Sequence, residues 1–271
     1  VDGPRTAPVS DITTRTYRAT DAGVGNSYRK GDLWKVTNAL GQVTEFLAYD
    51  GAGRLLSQKD ANGVITDLAY TARGWLHNRT VRANADGSAN GQLDAVTRVE
   101  YAVNGDVNRV IQPDNSGLEY CRDAAHRITA VVQTTFAQGS QCSAGAPVAG
   151  SQAVVYTLDA FGNRLKEENR DTDGSTKRLL ARQYNTLNQL RGLVNAPYAA
   201  STNLDDPSVK KTTFDYDANG NQDHTTDPLT RVADNDYDPL NRLMQSIQDL
   251  GGADQSATGY EYDARNNLRK V

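Results

Sequence analysis

The feature that most constrains this chain is a short phrase that recurs along it: Tyr-Asp, two variable residues, Gly, Arg and Leu. Its most complete copy runs from Tyr49 to Leu55. Copies that begin at positions 28, 49 and 70, at 101 and 122, and at 216 and 237 are 21 residues apart, and the other intervals are longer. An internal period of this kind overrides the expectation that 271 residues form one or two ordinary globular domains.

Each part of the phrase has a physical role in a β-hairpin. Val43, Glu45, Leu47 and Tyr49 alternate at period two, which indicates a strand that ends at the Tyr. The Asp can accept hydrogen bonds from backbone amides two residues later, and the Gly supplies a positive φ where the chain reverses. Asn, the next-best residue for that conformation, takes the Gly position at 188, 241 and 266. Leu then begins the return strand.

The residues that carry the phrase, and that we expect to form the structural repeat motif, are Tyr49, Asp50, Gly53, Arg54, Leu55, Tyr70, Gly74, Tyr101, Gly105, Tyr216, Asp217, Gly220, Tyr237, Asp238, Arg242, Leu243, Tyr262 and Asp263. A second, looser turn is expected to close each unit, at 38–41, 60–63, 113–117 and 227–229. The pattern therefore predicts an all-β fold of repetitive antiparallel β-hairpins. Residues 28–271 would hold about ten hairpin repeats, and residues 1–27, which match no repeat well, would form an extra strand or a linker.

The phrase and its spacing resemble the YD-repeat family, also called RHS repeats, of bacterial polymorphic toxins, insecticidal toxin complexes and teneurins. Arg122 and Leu158 in the Tyr position and His126 in the Gly position depart from the pattern. The resemblance implies one long spiralling sheet, part of a shell or β-scaffold around another polypeptide, typically a toxic C-terminal domain. It also implies a secreted or cell-surface bacterial protein, of which this chain would be a fragment.

Family members of the bacterial type carry an Asp-Pro-x-Gly segment where the enclosed toxin is released. Asp-Pro occurs here at 206, 227 and 238, and none of these pairs has Gly in the required position. We therefore expect the cleavage segment and the toxin to lie outside this chain.

The composition indicates a soluble protein with a thin, modestly buried sheet. Hydrophobic residues make up 38% of the chain, and its 13 Tyr residues far outnumber its four Phe. The formal net charge of −4 comes from interspersed charges, which disfavours nucleic acid as a partner. The sequence contains no run of 18 apolar residues, so no membrane span is expected.

The longer intervals arise from insertions between a return strand and the next Tyr strand, at 82–95, 137–150, 169–176, 195–209 and 250–258. All of them should therefore lie at one edge of the sheet. They are either a contact face for a partner or loops that have drifted neutrally.

The sequence offers no catalytic constellation, so we expect neither an enzyme nor a cofactor. His77, His126 and His224 are scattered and are expected to be solvated. The segments 84–87 and 171–174 resemble the opening of a calcium loop, yet both lack the later acidic ligands, so acidic turns are favoured and no metal is expected. Cys121 and Cys142 could close a loop of about twenty residues as a disulfide, or they could be two unpaired thiols.

Three functions remain open. The leading one is a structural wall whose partner is the rest of a longer chain or an encapsulated effector. The second is a carbohydrate or cell-surface binding module that uses exposed aromatics such as Trp34 and Trp75. The third is a self-assembling extracellular filament, in which open sheet edges pair between copies of the chain.

Overall fold

The structure, a computed structural model, describes residues 12–23, 27–196, 204–206 and 208–271. The regular elements in these residues are 23 β-strands, and 19 of them belong to one antiparallel sheet. The predicted all-β fold of antiparallel hairpins is thus confirmed. No helix in the described ranges is long and apolar enough to cross a membrane.

The chain forms two compact units, Val1–Tyr120 with Gln133–Ser140, and Cys121–Val132 with Gln141–Val271. The first unit contains the strands β1 (Thr14–Tyr17), β2 (Leu33–Thr37), β3 (Val43–Tyr49), β4 (Leu55–Lys59), β5 (Ile65–Tyr70), β6 (Leu76–Val81), β7 (Ala95–Tyr101) and β8 (Val107–Ile111). The next two strands, β9 (Ser116–Arg122) and β10 (Ile128–Thr135), have residues in both units.

The second unit continues the same alternation of strands and turns. Its strands are β11 (Cys142–Ser143), β12 (Ala146–Pro147), β13 (Ala153–Leu158), β14 (Arg164–Arg170), β15 (Thr176–Tyr184), β16 (Leu190–Ala196), β17 (Thr212–Tyr216), β18 (Gln222–Thr226), β19 (Val232–Tyr237), β20 (Leu243–Gln248), β21 (Ser256–Gly259), β22 (Glu261–Tyr262) and β23 (Leu268–Lys270). Strands that follow one another in the sequence pair with one another, which is the pairing of a β-meander. The exception is that β10 pairs with β13, because the small β11–β12 hairpin lies between them in the sequence.

The hairpins share one register at the Tyr end. The residue in the Tyr position pairs with the residue in the Leu position, as Tyr70 does with Leu76 and Tyr237 with Leu243. In each hairpin the pairing shifts beside the Tyr, because the return strand carries one extra residue. This β-bulge locally strengthens the twist of the hairpin.

The same register places the first repeat at Tyr17. Tyr17 ends β1 and pairs with Leu33, which begins β2, with a register shift beside it. Tyr28 lies in the connection between the two strands, where the Arg18 guanidinium is 4.0 Å from its ring centroid. Tyr17, and not Tyr28, therefore ends the strand of the first hairpin, although the family-like phrase begins at Tyr28. Within predicted segment 1–27, residues 14–17 form a strand, whereas 1–11 and 24–26 lie outside the described residues.

Most strand residues are only half-buried, and fully buried apolar side chains gather in the second unit. One cluster consists of Cys121, Ala130, Val132 and Ala153. A second cluster consists of Ala181, Val194 and Leu204. These clusters hold the hairpins around β10, β13, β15 and β16, where the sheet comes nearest to having a conventional core.

The insertions lie between a return strand and the following Tyr strand, as the intervals predict. The one between β10 and β13 contains the β11–β12 hairpin. Cys142 at the start of that hairpin forms a disulfide with Cys121, and their Cα atoms are 5.3 Å apart. The insertion is thus covalently attached to β9. In the insertion between β16 and β17, residues 197–203 and 207 lie outside the described part of the chain.

Candidate functional site

The Asp of each phrase organises a five-residue turn. Asp50 Oδ1 accepts hydrogen bonds from the backbone amides of Ala52 and Arg54, both at 2.9 Å. Asp50 Oδ2 accepts a bond from Arg54 Nε at 2.5 Å, and the Asp50 amide donates to the Arg54 carbonyl. The same pair of Oδ1 bonds recurs at Asp123, Asn185, Asp217, Asp238 and Asp263.

The fourth residue of this turn has a left-handed backbone. Gly53, Gly74, Gly105 and Gly220 have φ values between 80° and 98°. The residues that replace Gly adopt the same conformation: φ is 62° at His126, 67° at Asn188, 60° at Asn241 and 65° at Asn266. The left-handed backbone of the turn therefore explains why Gly or Asn is preferred at its fourth position.

The turn geometry stabilises the ionised form of its Asp. The backbone amide of Arg54 is the main cause that lowers the pKa of Asp50, and the Arg54 side chain adds to it. At Asp238 the hydrogen bond from the Arg242 side chain is the main cause of the lowered pKa. A carboxylate that accepts several N–H bonds is a better acceptor when it is charged. These turns are therefore most stable at pH values above the usual Asp pKa.

The second turns, predicted to be looser, share this geometry in several units. Asn38, Asp60 and Asp227 each accept the same pair of backbone amide bonds through Oδ1. Both edges of the hairpins are therefore closed by one type of turn. The sequence alone did not reveal this shared turn geometry, because the second turns lack the Tyr. In one of them Thr230, with φ of 69°, also stands in the Gly position.

The Tyr hydroxyl does not act within its own hairpin. Tyr70 Oη donates to the carbonyl of Leu55, the first residue of the return strand in the preceding hairpin, at 3.0 Å. Tyr216 makes the equivalent bond to Leu190 at 2.8 Å. The same bond joins Tyr49 to Leu33, Tyr101 to Leu76, Tyr237 to Gln222 and Tyr262 to Leu243. We call this contact, between a return strand and the next Tyr strand, the repeat joint.

The residue after the Gly position adds a second link across the repeat joint. The Arg54 guanidinium binds its own Asp50 and lies 4.9 Å from the centroid of the Tyr70 ring. Arg242 makes the same contact with Tyr262 and also donates to Asn266 Oδ1 at 2.9 Å. The phrase Tyr-Asp-x-x-Gly-Arg-Leu therefore closes one hairpin and binds it to the next.

Trp75 forms the other aromatic contact between hairpins. Its ring is 5.2 Å from that of Tyr101, tilted by 39°, and the Arg73 guanidinium lies 5.3 Å from it. With His77 and Glu100 these residues line a shallow cavity of about 380 Å³. Trp34, by contrast, has Arg18 and Lys35 within 5 Å of its ring, so cations already occupy its surroundings.

His224, which the sequence predicts to be solvated, lies in β18 opposite Asp234 of β19. Its Nδ1 is 3.0 Å from Asp223 Oδ2 and its Nε2 is 3.3 Å from Asp234 Oδ1. The register shift between β17 and β18 adds a residue here, which lets the consecutive Asp223 and His224 approach one another. These three side chains could supply one nitrogen and two oxygen ligands to a metal ion, and they equally satisfy one another as an acid–imidazole–acid trio.

The two acidic loops are closed by their own hydrogen bonds. Asp86 accepts bonds from the amide and hydroxyl of Ser88. Asp173 accepts the amide of Ser175, and Lys177 Nζ lies 3.7 Å from it. Both loops are therefore acidic turns with internal partners for their carboxylates.

The sequence comparison identifies the repeats directly. The family model described as RHS Repeat matches residues 29–65 and 49–89. The segment 29–89 thus consists of RHS, or YD, repeats. No curated protein sequence matches this chain.

Solved structures share the YD-repeat fold at low sequence identity. The crystal structure of TcdB2-TccC3 without its hypervariable C-terminal region has a TM-score of 0.60 and 16% identity, over 88% of this chain and 12% of that one. The crystal structure of TcdB2-TccC3-TEV gives 0.60 and 16%, over 96% and 14%. The Photorhabdus luminescens Tc holotoxin pore gives 0.58 and 15%, over 96% and 13%. The present chain thus spans 12–14% of the length of these solved chains.

Proposed function

We propose that the chain is a structural scaffold without catalytic activity of its own. In this proposal it is a section of the wall of a shell that encloses or displays an effector polypeptide of a secreted or surface-exposed bacterial protein. The repeat joint carries the proposal. Because the same bond can join each hairpin to the next, it suits a sheet of any number of hairpins. The Tyr side chains that make it are also among the most regularly recurring residues of the repeat.

The fold neighbours support the proposal at the level of architecture. They include toxin-complex chains about seven times as long as this one, and the present chain overlays 88–96% of its length on them. A wall section also accounts for the modest burial, because a sheet that lines a space has one face with little to pack against.

The test uses the complete natural coding sequence that contains this chain. We expect the polypeptide encoded with it to resist a non-specific protease when joined to the repeats, and to be cleaved at least tenfold faster when expressed alone. Equal cleavage rates would contradict enclosure. A coding sequence with nothing beyond the repeats would contradict it as well.

A second candidate function is glycan binding at the Trp75 cavity. An aromatic ring flanked by a carboxylate, an imidazole and a guanidinium offers both a stacking surface and hydrogen-bond partners for a sugar. Titration of the chain with a panel of bacterial and animal-cell oligosaccharides should then change the Trp fluorescence saturably. Glu100→Gln should weaken that binding at least tenfold, and Trp34→Phe should leave it intact. A panel with no saturable ligand would reject this candidate.

A further inference from the structure

Three metal-ligating side chains meet where β18 pairs with β19. Asp223 and His224 are consecutive in β18, and Asp234 of β19 lies directly opposite His224. Consecutive residues of a strand ordinarily face opposite sides of the sheet. Here the pairing of β18 with β17 shifts by one residue, and such a bulge re-aims the side chains beside it. One ring nitrogen and one oxygen from each carboxylate lie within 4.8 Å of one another.

The distances within this trio fit ligands of one ion. Nε2 of His224 is 3.3 Å from Asp234 Oδ1, and Nδ1 is 3.0 Å from Asp223 Oδ2, yet neither contact has the geometry of a hydrogen bond. Ligand atoms that bind one zinc ion at about 2.1 Å, with angles of about 90° to 110° between them, lie about 3.0 to 3.4 Å apart. Each oxygen then lies well off the axis of the ring nitrogen, where a linear hydrogen bond does not form. Whichever ring nitrogen binds the ion, a carboxylate oxygen already lies at the distance of a neighbouring ligand.

The local charge favours a divalent cation. In the described residues neither Asp223 nor Asp234 pairs with a Lys or Arg side chain, and the ionic contact of both is with His224. Two carboxylates with a protonated imidazole keep one negative charge, and with a neutral imidazole they keep two. A divalent ion bound to the neutral ring cancels that charge. The side chains of Asp223 and His224 are 36% and 39% exposed, so an ion reaches them from solvent and water can complete its coordination.

The donor set selects the class of ion. An imidazole nitrogen together with carboxylate oxygens suits Zn²⁺ and the other divalent transition metals of the first row. Ca²⁺ and Mg²⁺ instead prefer sites made of oxygen atoms. We propose that Asp223, His224 and Asp234 bind one divalent transition-metal ion, represented by Zn²⁺. In this site His224 supplies one nitrogen, each Asp supplies one oxygen, and the half-exposed side chains rotate to close the remaining separation.

The ion acts as a clamp between β18 and β19, because it takes ligands from both strands. Their joint has the Tyr237 hydroxyl bond, and in the described residues neither strand contributes a fully buried side chain. A cross-strand metal bond therefore adds stability where an apolar core adds little. An ion that binds the folded chain and not the unfolded one stabilises the fold by mass action. The site does not depend on an enclosed effector and stands or falls separately from the wall function.

Calorimetric titration of the full chain, without an affinity tag, with zinc chloride tests the site. We expect one ion per chain and a dissociation constant below about 100 µM. His224→Gln, Asp234→Asn and Asp223→Asn should each weaken binding about tenfold or more. His126→Asn is the matched control, because Asn occupies the same turn position in three other hairpins, and it should leave binding unchanged. Zinc at about a hundredfold excess over the dissociation constant should raise the melting temperature of the wild type by about 5 to 10 °C, and that of His224→Gln much less.

Cobalt gives a measurement that needs no variant. The chain has three histidines, so its NMR spectrum has three sets of imidazole proton signals. Co²⁺ below one equivalent should broaden the signals of His224 and leave those of His77 and His126 sharp. Equal broadening of all three would show adventitious binding and overturn the proposal, as would the lack of saturable zinc binding below about 1 mM. Unchanged zinc affinity in His224→Gln, or Ca²⁺ binding as tight as that of zinc, would also overturn it, since carboxylates alone would then hold the ion.

Discussion

The repeat joint makes a quantitative prediction at Tyr216. Its hydroxyl donates to the Leu190 carbonyl at 2.8 Å across the β16–β17 joint. Tyr216→Phe keeps the ring and its packing and removes only this bond. A hydrogen bond of this kind contributes about 1 kcal/mol net, so the second unit should lose that much unfolding free energy. For a unit of this size the loss corresponds to a fall in melting temperature of about 3 °C.

Tyr184 provides a matched control. It occupies the same position in its own hairpin, where it pairs with Leu190, and it is also half-buried. Its hydroxyl makes no hydrogen bond among the described residues, so Tyr184→Phe should change the unfolding free energy by less than about 0.5 kcal/mol. Urea unfolding followed by circular dichroism gives the free energies. Hydrogen exchange locates the effect, with about fivefold faster exchange expected at the β16–β17 joint for the Tyr216 variant.

Alkaline pH tests the same bond without a mutation. Burial raises the pKa of Tyr216 above its ordinary value. A group whose pKa is raised by folding contributes stability that is present below the unfolded pKa, about 10, and is lost as the pH rises through the folded pKa. The stability difference between wild type and Tyr216→Phe should therefore be constant from pH 7 to 9 and narrow above about pH 10. Equal losses in the Tyr216 and Tyr184 variants would refute the joint as a source of stability.

Three further perturbations address the turns and the disulfide. The pKa of Asp217 is lowered mainly by the Asn221 side chain, so its contribution is present above the unfolded pKa and lost as the pH falls through the folded one. The melting temperature should fall below about pH 4, and less steeply in Asp217→Asn; an equally steep fall would contradict this. Thr230→Gly should stabilise the chain by about 1 kcal/mol in urea unfolding, because φ of 69° strains a β-branched residue, and a loss of stability would contradict it. Replacing both Cys121 and Cys142 by Ser should cost about 3 kcal/mol for a loop of 21 residues, and unchanged urea midpoints would show that the bond constrains little.

The sequence was sufficient for the hairpins because their determinants are local. Strand alternation, the Asp that caps the turn and the positive φ at Gly or Asn all act within a few residues. The repeat joint was missed because the hydroxyl and its acceptor lie 15 to 26 residues apart, in different hairpins. A signal was nevertheless present: Phe would end a strand as well as Tyr, yet Tyr outnumbers Phe by 13 to 4. The preference for a hydroxyl indicates a bond that the strand itself does not need.

Tyr17 was missed for a related reason. The phrase has a short turn after its Tyr, whereas the connection from β1 to β2 extends over residues 18–32. Only the pairing with Leu33 reveals the repeat position. The His224 trio was missed because its members meet through a bulge and a strand pairing, and neither can be read from spacing alone.

The joints that lack the Tyr bond show what replaces it. Leu158 stands in the Tyr position of β13, and there the fully buried cluster around Ala130 and Val132 joins β10 to β13. Arg127 also donates to the carbonyl of Asp159 across this joint at 2.8 Å.

The joint between β14 and β15, whose Tyr184 makes no hydroxyl bond among the described residues, likewise has Leu179 and Ala181 at 1% exposure. The joints between β4 and β5 and between β18 and β19 have the Tyr bond, and no apolar side chain of these strands is among the fully buried ones. The Tyr hydroxyl and an apolar core are thus two ways to hold neighbouring hairpins, and the β16–β17 joint has both, the Tyr216 bond and the buried Val194. The hydroxyl requires one side chain at one position, whereas the core requires several matched apolar residues on both strands. A chain that extends mainly through hydroxyl joints can therefore vary most of its strand residues and still add hairpins.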